Sequence, residues 1–227
     1  MKMNHFFLIP FLTITLFTIG NNVFGQNFNY HKEFKDILKK SMDKSNSYHF
    51  SKLLERFNKN DPSLSNKEII ALQIGFTADK NYKPYKTIDK ERAIQKLISS
   101  KEYTKAIEQC DELLKTNPIN FTALMEKGFA FMKLNREDKS YSKEKSLKII
   151  QSIIWSGDGS SMNPYFVLGP RDGQILIKYV WGNSIGMMGS GEDVNVYFCD
   201  ILSMNLKDGE KQLYFNIDHA TKKMFSE

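Results

Sequence analysis

The chain has 227 residues, and its 32 Lys and Arg residues against 26 Asp and Glu give a formal net charge of +6 at pH 7. Nearly all of the basic residues are lysines, and arginine stands only at positions 56, 92, 136 and 171. Because arginine is the usual donor for bidentate contacts to phosphates and bases, this composition argues against a protein that reads nucleic acid. The net charge alone leaves open a weak attachment to anionic surfaces.

Residues 1–25 have the layout of a secretory signal peptide. Lys2 precedes an apolar run from Phe6 to Ile19, and small residues lead to Gly25 just before Gln26. A membrane-spanning helix needs roughly 20 apolar residues, and this run is shorter. We therefore expect cleavage after Gly25, a periplasmic or secreted protein, and no transmembrane segment after cleavage.

Residues 26–158 have the spacing of helices. Apolar residues recur on one face around Phe34–Leu38, Leu53–Phe57 and Ile69–Ile74. Ser65 followed by Glu68 predicts a capping box at the start of the third of these helices. Pro84 predicts that the chain leaves the helical conformation soon afterwards.

A tetratricopeptide-like pattern covers about residues 88–154. Four residues match the second helix and terminal proline of such a repeat, and three more match the first helix of the next unit: Tyr103, Ala106, Leu113 and Pro118, then Gly128, Phe131 and Asn135. This amounts to about 1.5 repeats, interrupted by a polar insertion near Asp138–Ser142. Three repeats are normally needed for independent stability, so we expect these helices to pack on another part of the chain.

Residues 159–227 change to a period of two, which is typical of strands. We predict a hairpin from Tyr165 to Trp181, a strand over Val194–Phe198, and a strand over Leu213–Ile217 after the Asp208-Gly209 turn. A sheet with one apolar face needs a cover. The prediction is an α+β fold, with the N-terminal helical region packed on a C-terminal antiparallel β-sheet.

The sequence has two candidate binding surfaces. The first helices of a tetratricopeptide array line its concave side, which here places Thr122, Met125, Phe129 and Met132 either in the core or on a partner surface. The glycine-rich stretch Gly182–Gly191 is either a plain strand connection or a mobile loop over a site. Aromatic residues near that stretch are available to stack on sugar rings: Trp155, Tyr165 and Trp181.

No catalytic or metal-binding pattern is present in the sequence. His31, His49 and His219 are far apart, and no HxxxH or CxxC motif occurs. Cys110 and Cys199 are either buried free thiols or one disulfide. We expect no cofactor and no metal.

Several stretches, taken in order, resemble a family of secreted proteins from Gram-negative bacteria, the domain of unknown function 4919. They are Leu53–Phe57, Ser63–Glu68, Tyr82–Tyr85, Tyr103–Pro118, Ser156–Gly159 with Asn163-Pro164, and Tyr214–Ile217. The family's usual run of tyrosines is replaced by Leu72–Phe76, which departs from the pattern. The resemblance implies export and architecture, and it implies no chemistry.

These observations lead to one main functional hypothesis and one alternative. The main hypothesis is a non-catalytic protein-interaction or structural module of the cell envelope, with another envelope or periplasmic protein as its partner. The alternative is a ligand-binding protein or enzyme that acts on envelope material, with its site under the Gly182–Gly191 loop.

Overall fold

The computed structural model describes residues 27–136 and 140–226, the second range with side chains from Lys143 onward. The predicted signal peptide and most of the polar insertion therefore lie outside the described residues. The helices in the described part are α1 (Tyr30–Met42), α2 (Phe50–Asn58), α3 (Asn66–Phe76), α4 (Ile88–Ser99), α5 (Tyr103–Thr116), α6 (Phe121–Lys133), α7 (Ser140–Ser156), α8 (Asp172–Ile175) and α9 (Asp218–Phe225).

The strands form one mixed sheet. They are β1 (Tyr165–Phe166), β2 (Ile185–Glu192), β3 (Phe198–Leu206) and β4 (Gly209–Asn216), in the spatial order β1-β4-β3-β2. The pairs β2–β3 and β3–β4 are antiparallel, whereas the short β1 runs parallel to β4. The predicted α+β class is confirmed, and the sheet is antiparallel except for β1.

Helix α3 lies at the centre of the helical half. Every residue from Ile69 to Phe76 is buried, and α3 packs against α1, α2 and α7. A helix that is apolar on all sides belongs in a core. The predicted capping box is confirmed at its start, where Ser65 accepts from the Glu68 backbone N–H and Glu68 accepts from the Ser65 backbone N–H.

Helices α4 to α7 pack as successive neighbours, and α4 also contacts α6. Gly128 permits the close approach of α6 to α7, because an added Cβ would lie 3.1 Å from the Lys143 backbone nitrogen. Helix α5 ends at Thr116, just before Pro118. The tetratricopeptide-like character of these helices stays a prediction.

The predicted hairpin from Tyr165 to Trp181 is wrong. Residues from Asp172 onward form α8, which continues as a π-helical turn over Leu176–Val180. Ile175, Leu176 and Ile177 are all buried, and a short run of this kind has no period that separates a strand from a buried helix. Helix α8 packs on β4 through Gly173, where an added Cβ would lie 2.7 Å from the Phe215 Cγ.

Two further predictions need correction: the strand over Val194–Phe198, and the connection or loop over Gly182–Gly191. The Asp193 carboxylate accepts from the backbone N–H groups of Asn195 and Tyr197, which makes Asp193–Tyr197 a turn with Val194 and Val196 exposed. The stretch Gly182–Gly191 is no loop over most of its length, because β2 starts at Ile185. Helix α9 was not predicted from the sequence.

One continuous hydrophobic core joins the helical half to the sheet. It runs from α1 through α3 and α7 to β3, β4 and α9. The Tyr82 hydroxyl donates to the Leu168 carbonyl at 2.7 Å and links the two halves inside this core. Among the described residues, no helix has both the length and the apolar character needed to cross a membrane.

Candidate binding groove

A groove of about 480 Å³ opens between the helical half and the sheet. Four parts of the chain line it: the start of α4 with the preceding turn, the segment that leads into and forms α8, the face of the sheet at β2 and β3, and α9. The lining residues are Tyr85, Ile88, Arg92, Pro170, Arg171, Gln174, Ser190, Phe198, Asp200, Thr221, Met224 and Phe225.

The pairing of β2 with β3 shows which residues form the floor of the groove. Ser190 of β2 lies directly opposite Asp200 of β3. Phe198 lies two residues before Asp200, and alternate residues of a strand point to the same face. The floor therefore carries one carboxylate, one hydroxyl and one aromatic ring on the face that α8 and α9 cover.

Asp200 is the chemically unusual residue of this groove. The Ser190 Oγ lies 3.4 Å from the Asp200 Oδ1, and in the described part of the chain Asp200 forms no ion pair. Burial raises the pKa of the Asp200 carboxyl to about 6. A carboxylate taken partly out of water without a cation is costly, and such groups cluster at functional sites.

Arg171 lies beside the groove, and hydrogen bonds fix its position. Its Nη2 donates to the Gln95 Oε1 at 2.5 Å and its Nη1 to the Ile88 carbonyl at 3.4 Å. The Arg171 Nε is 3.9 Å from the Glu91 Oε2, and its side chain is only 12% exposed. Arg92, in contrast, is 70% exposed and lies 3.5 Å from Asp89. Arg92 is thus an exposed cation at the rim, whereas Arg171 is mostly buried in the wall and held by hydrogen bonds.

A buried polar seam behind Arg171 ties the helical half to α8. Glu91 accepts from the Thr87 hydroxyl at 3.0 Å and from the Asn120 amide at 2.7 Å. Asp172 accepts from the backbone N–H groups that precede it, those of Leu168 and Gly169. Burial, with a smaller effect of the Glu91 charge, raises the pKa of Asp172 to about 7. These bonds form a structural network around a cavity of only about 20 Å³, and the Glu91 Oε2 beside it has no hydrogen-bond partner among the described residues.

The rim of the groove exposes large apolar side chains. Phe225 at the end of α9 is 81% exposed, and the neighbouring Met224 is partly exposed. Met187 and Met188 of β2 do not line the groove, but they are 74% and 61% exposed on the strand that contributes Ser190 to it. Exposed aromatic and methionine side chains next to a groove are typical of partner surfaces.

The predicted site residues lie elsewhere. Met125 packs against the main core and Met132 is exposed. Phe129 is half-buried and makes an edge-to-face contact with Tyr103. Trp181 is half-buried with its ring 5.8 Å from that of Tyr165. None of the four lines the groove, and the structure does not bring Trp181 together with the α6 residues.

The described residues contain no catalytic or metal-binding arrangement that we can identify. No group of His, Cys, Asp and Glu in residues 27–136 and 140–226 is placed to hold a metal ion. His219 is buried among aromatic rings, and burial lowers its pKa to about 4. His31 pairs with the Tyr197 hydroxyl at 2.7 Å. Cys110 and Cys199 are buried free thiols.

Sequence reasoning missed Asp200, although the sequence held a signal for it. Asp200 lies on the same face of β3 as Phe198 and Leu202, and the other residues of that face are all apolar. A charge at such a position is unexpected unless it is paired or functional. Helix α9 was also signalled by Asp218 at its start and by Lys222 and Lys223 in its last turn.

Comparison with known proteins gives one match. The model of a family described as "Domain of unknown function (DUF4919)" matches residues 35–226. No curated protein and no solved structure matches the chain.

Proposed function

The chain belongs to the DUF4919 family, and we propose that it is an exported, non-catalytic interaction module of the cell envelope that binds a segment of a partner protein in its groove. The pattern of residues 1–25 supports export. The groove volume of about 480 Å³ is within the usual range for binding sites, roughly 300–1,000 Å³.

The observation that carries this proposal is the Asp200 carboxylate on the groove floor, which has no ion-pair partner among the described residues. A basic side chain of a partner would supply the cation that the described chain does not. Phe198 on the floor and Phe225 on the rim offer apolar surface next to it. The occupant is therefore a peptide segment with a basic residue flanked by aromatic or aliphatic residues.

The alternative, a ligand-binding protein or enzyme acting on envelope material, has one observation in its favour. Ser190, which belongs to the stretch Gly182–Gly191, lines the groove. The three aromatic residues expected to stack on sugar rings do not line it, and Tyr165 is buried. The geometry thus favours a peptide over a sugar. The α6 face with Met125, Phe129 and Met132 stays a second candidate surface for a protein partner.

A peptide display selection tests the proposal. A library of random peptides about 12 residues long is selected on the purified protein, in parallel with the Asp200→Asn variant and with Asp208→Asn as a matched control. Asp208 is an exposed acid in the turn between β3 and β4, outside the groove. We expect the wild type and the control to enrich peptides with a basic residue next to an aromatic or aliphatic one, and Asp200→Asn to lose that enrichment. Enrichment that is unchanged by Asp200→Asn would refute the proposal.

A further inference from the structure

Strand β2 forms an open edge of the sheet. It pairs with β3 on one side, and within the described residues no strand lies on its other side. In an antiparallel pair, alternate residues of an edge strand turn their N–H and C=O groups outward. The eight residues of β2 thus present a row of main-chain donors and acceptors beside the groove.

This edge has few of the features that prevent strand pairing. Proteins usually protect an edge with Lys, Pro, bulges or very short strands. Strand β2 contains no Lys and no Pro, and Glu192 is its only charged residue. Its register is irregular only between Ile185 and Met188, so the five residues Met188–Glu192 form a regular edge.

The side chains of β2 connect this edge to the groove. Met188, Ser190 and Glu192 lie opposite Leu202, Asp200 and Phe198, respectively, and so share the groove face. A strand added outside β2 would lie two strand spacings from β3, about 10 Å away. An extended arginine side chain of about 7 Å plus a hydrogen bond of about 3 Å covers that distance. Ser190 is small enough to lie beneath such a side chain.

We infer that the partner segment binds by adding a strand to the free edge of β2, with an arginine lying across Ser190 to the Asp200 carboxylate. This inference rests on the proposed function and specifies how the groove is occupied. Glu192 lies two residues beyond Ser190 on the same face of β2, and it adds a second negative charge beside the arginine. The exposed Met187 and Met188 provide adaptable apolar contacts at the start of the edge.

The partner is a different protein and not a second copy of this chain paired through the same strand. Strand β2 contains no Lys and no Arg. Pairing of β2 with the β2 of another copy would therefore place no cation near Asp200 and would bring two Glu192 side chains onto the new sheet. Charge complementarity requires a basic segment from elsewhere.

A scan of peptide backbone amides tests the inference. The probe is a heptapeptide, Thr-Phe-Thr-Arg-Thr-Phe-Thr-amide, whose N-terminus is blocked by an attached fluorophore. Its Phe, Arg and Phe side chains share one face of a strand. We expect it to bind with a Kd below about 1 mM. N-methylation of one alternating set of its amides should weaken binding at least about tenfold, and N-methylation of the other set by less than about twofold, because only one set faces β2.

Two readouts separate this inference from the proposed function. Loss of affinity in Asp200→Asn, together with a flat N-methyl scan, would leave the groove as the site and overturn strand addition. If the probe does not bind, or if Asp200→Asn binds it as tightly as the wild type does, both strand addition and the proposed function would be overturned. Hydrogen exchange gives an independent check, because strand addition should slow exchange of alternate β2 amides when the probe is bound, and unchanged exchange would contradict it.

Discussion

The Ser190 hydroxyl and the Asp200 carboxylate lie opposite each other in the β2–β3 pair, with 3.4 Å between Oγ and Oδ1. Within the described chain, this is the one hydrogen bond to the half-buried Asp200 side chain. Among the described residues no cation pairs with Asp200, and it accepts one hydrogen bond where Glu91 and Asp172 in the seam behind the groove accept two each.

Replacement of Asp200 by Asn should stabilise the protein. The folded pKa of Asp200 is about 6, above its ordinary value, so the ionised carboxylate destabilises the fold above pH 6. At pH 7.5 we expect Asp200→Asn to raise the free energy of unfolding by about 1 kcal/mol, as measured by urea denaturation. Asp208→Asn, at an exposed position, should change it by less than about 0.5 kcal/mol.

The raised pKa of Asp200 also predicts how the free energy of unfolding depends on pH. Between about pH 4 and 6 the folded state holds a proton on Asp200 that the unfolded state has released. The wild type should therefore gain stability relative to Asp200→Asn as the pH falls through this window, and the difference should vanish below it. The charged groups that face the groove besides Asp200 are Arg92 and Arg171, with Glu192 beside it on β2. A difference that grows towards low pH would contradict this assignment.

Truncation of Arg171 should open the polar seam. Arg171→Ala removes the donor to Gln95 and leaves the buried Glu91 Oε2 without its nearby cation. We expect a loss of about 2–4 kcal/mol in the free energy of unfolding. The control Arg92→Ala removes an exposed arginine of the same groove and should cost less than about 0.5 kcal/mol. Equal effects of the two variants would show that the seam does not stabilise the fold.

Gly173 should tolerate no side chain. Its added Cβ would lie 2.7 Å from the Cγ of the buried Phe215, so Gly173→Ala must displace α8 from β4. Overpacking of this kind costs about 1–3 kcal/mol. Gly189→Ala is the matched control, because no atom of the described residues lies within 4 Å of its added Cβ. Thermal unfolding of the two variants should differ by several degrees, and equal melting temperatures would argue against the packing of α8 on β4.

Export predicts a defined N-terminus. If residues 1–25 are a signal peptide, the protein recovered from the periplasm or medium of a Gram-negative host begins at Gln26. Intact-mass measurement distinguishes this product from the full-length chain. Recovery only from the cytoplasm with Met1–Gly25 still attached would contradict export.

Local chemistry was readable from the sequence, and packing was not. The capping box at Ser65 and the α+β class follow from the residues themselves. The segment Gln174–Trp181 was wrongly predicted as a strand, because a buried helix and a buried strand can both consist of consecutive apolar residues. The groove could not be predicted, because α9 and β2 are brought together only by the order of the strands. The sequence marks Asp200 only as a charge on an apolar face of its strand, and its place in the groove comes from that arrangement.

A titration of the heptapeptide probe against four forms of the protein tests the central claim most directly. Fluorescence anisotropy is recorded with the wild type, Asp200→Asn, Asp208→Asn and Met132→Asp, the last at an exposed position of the α6 face. The account predicts that Asp200→Asn weakens binding at least about tenfold, while Asp208→Asn and Met132→Asp bind as the wild type does. Equal affinity of the wild type and Asp200→Asn, or loss of binding in Met132→Asp alone, would contradict the account and place the site outside the groove.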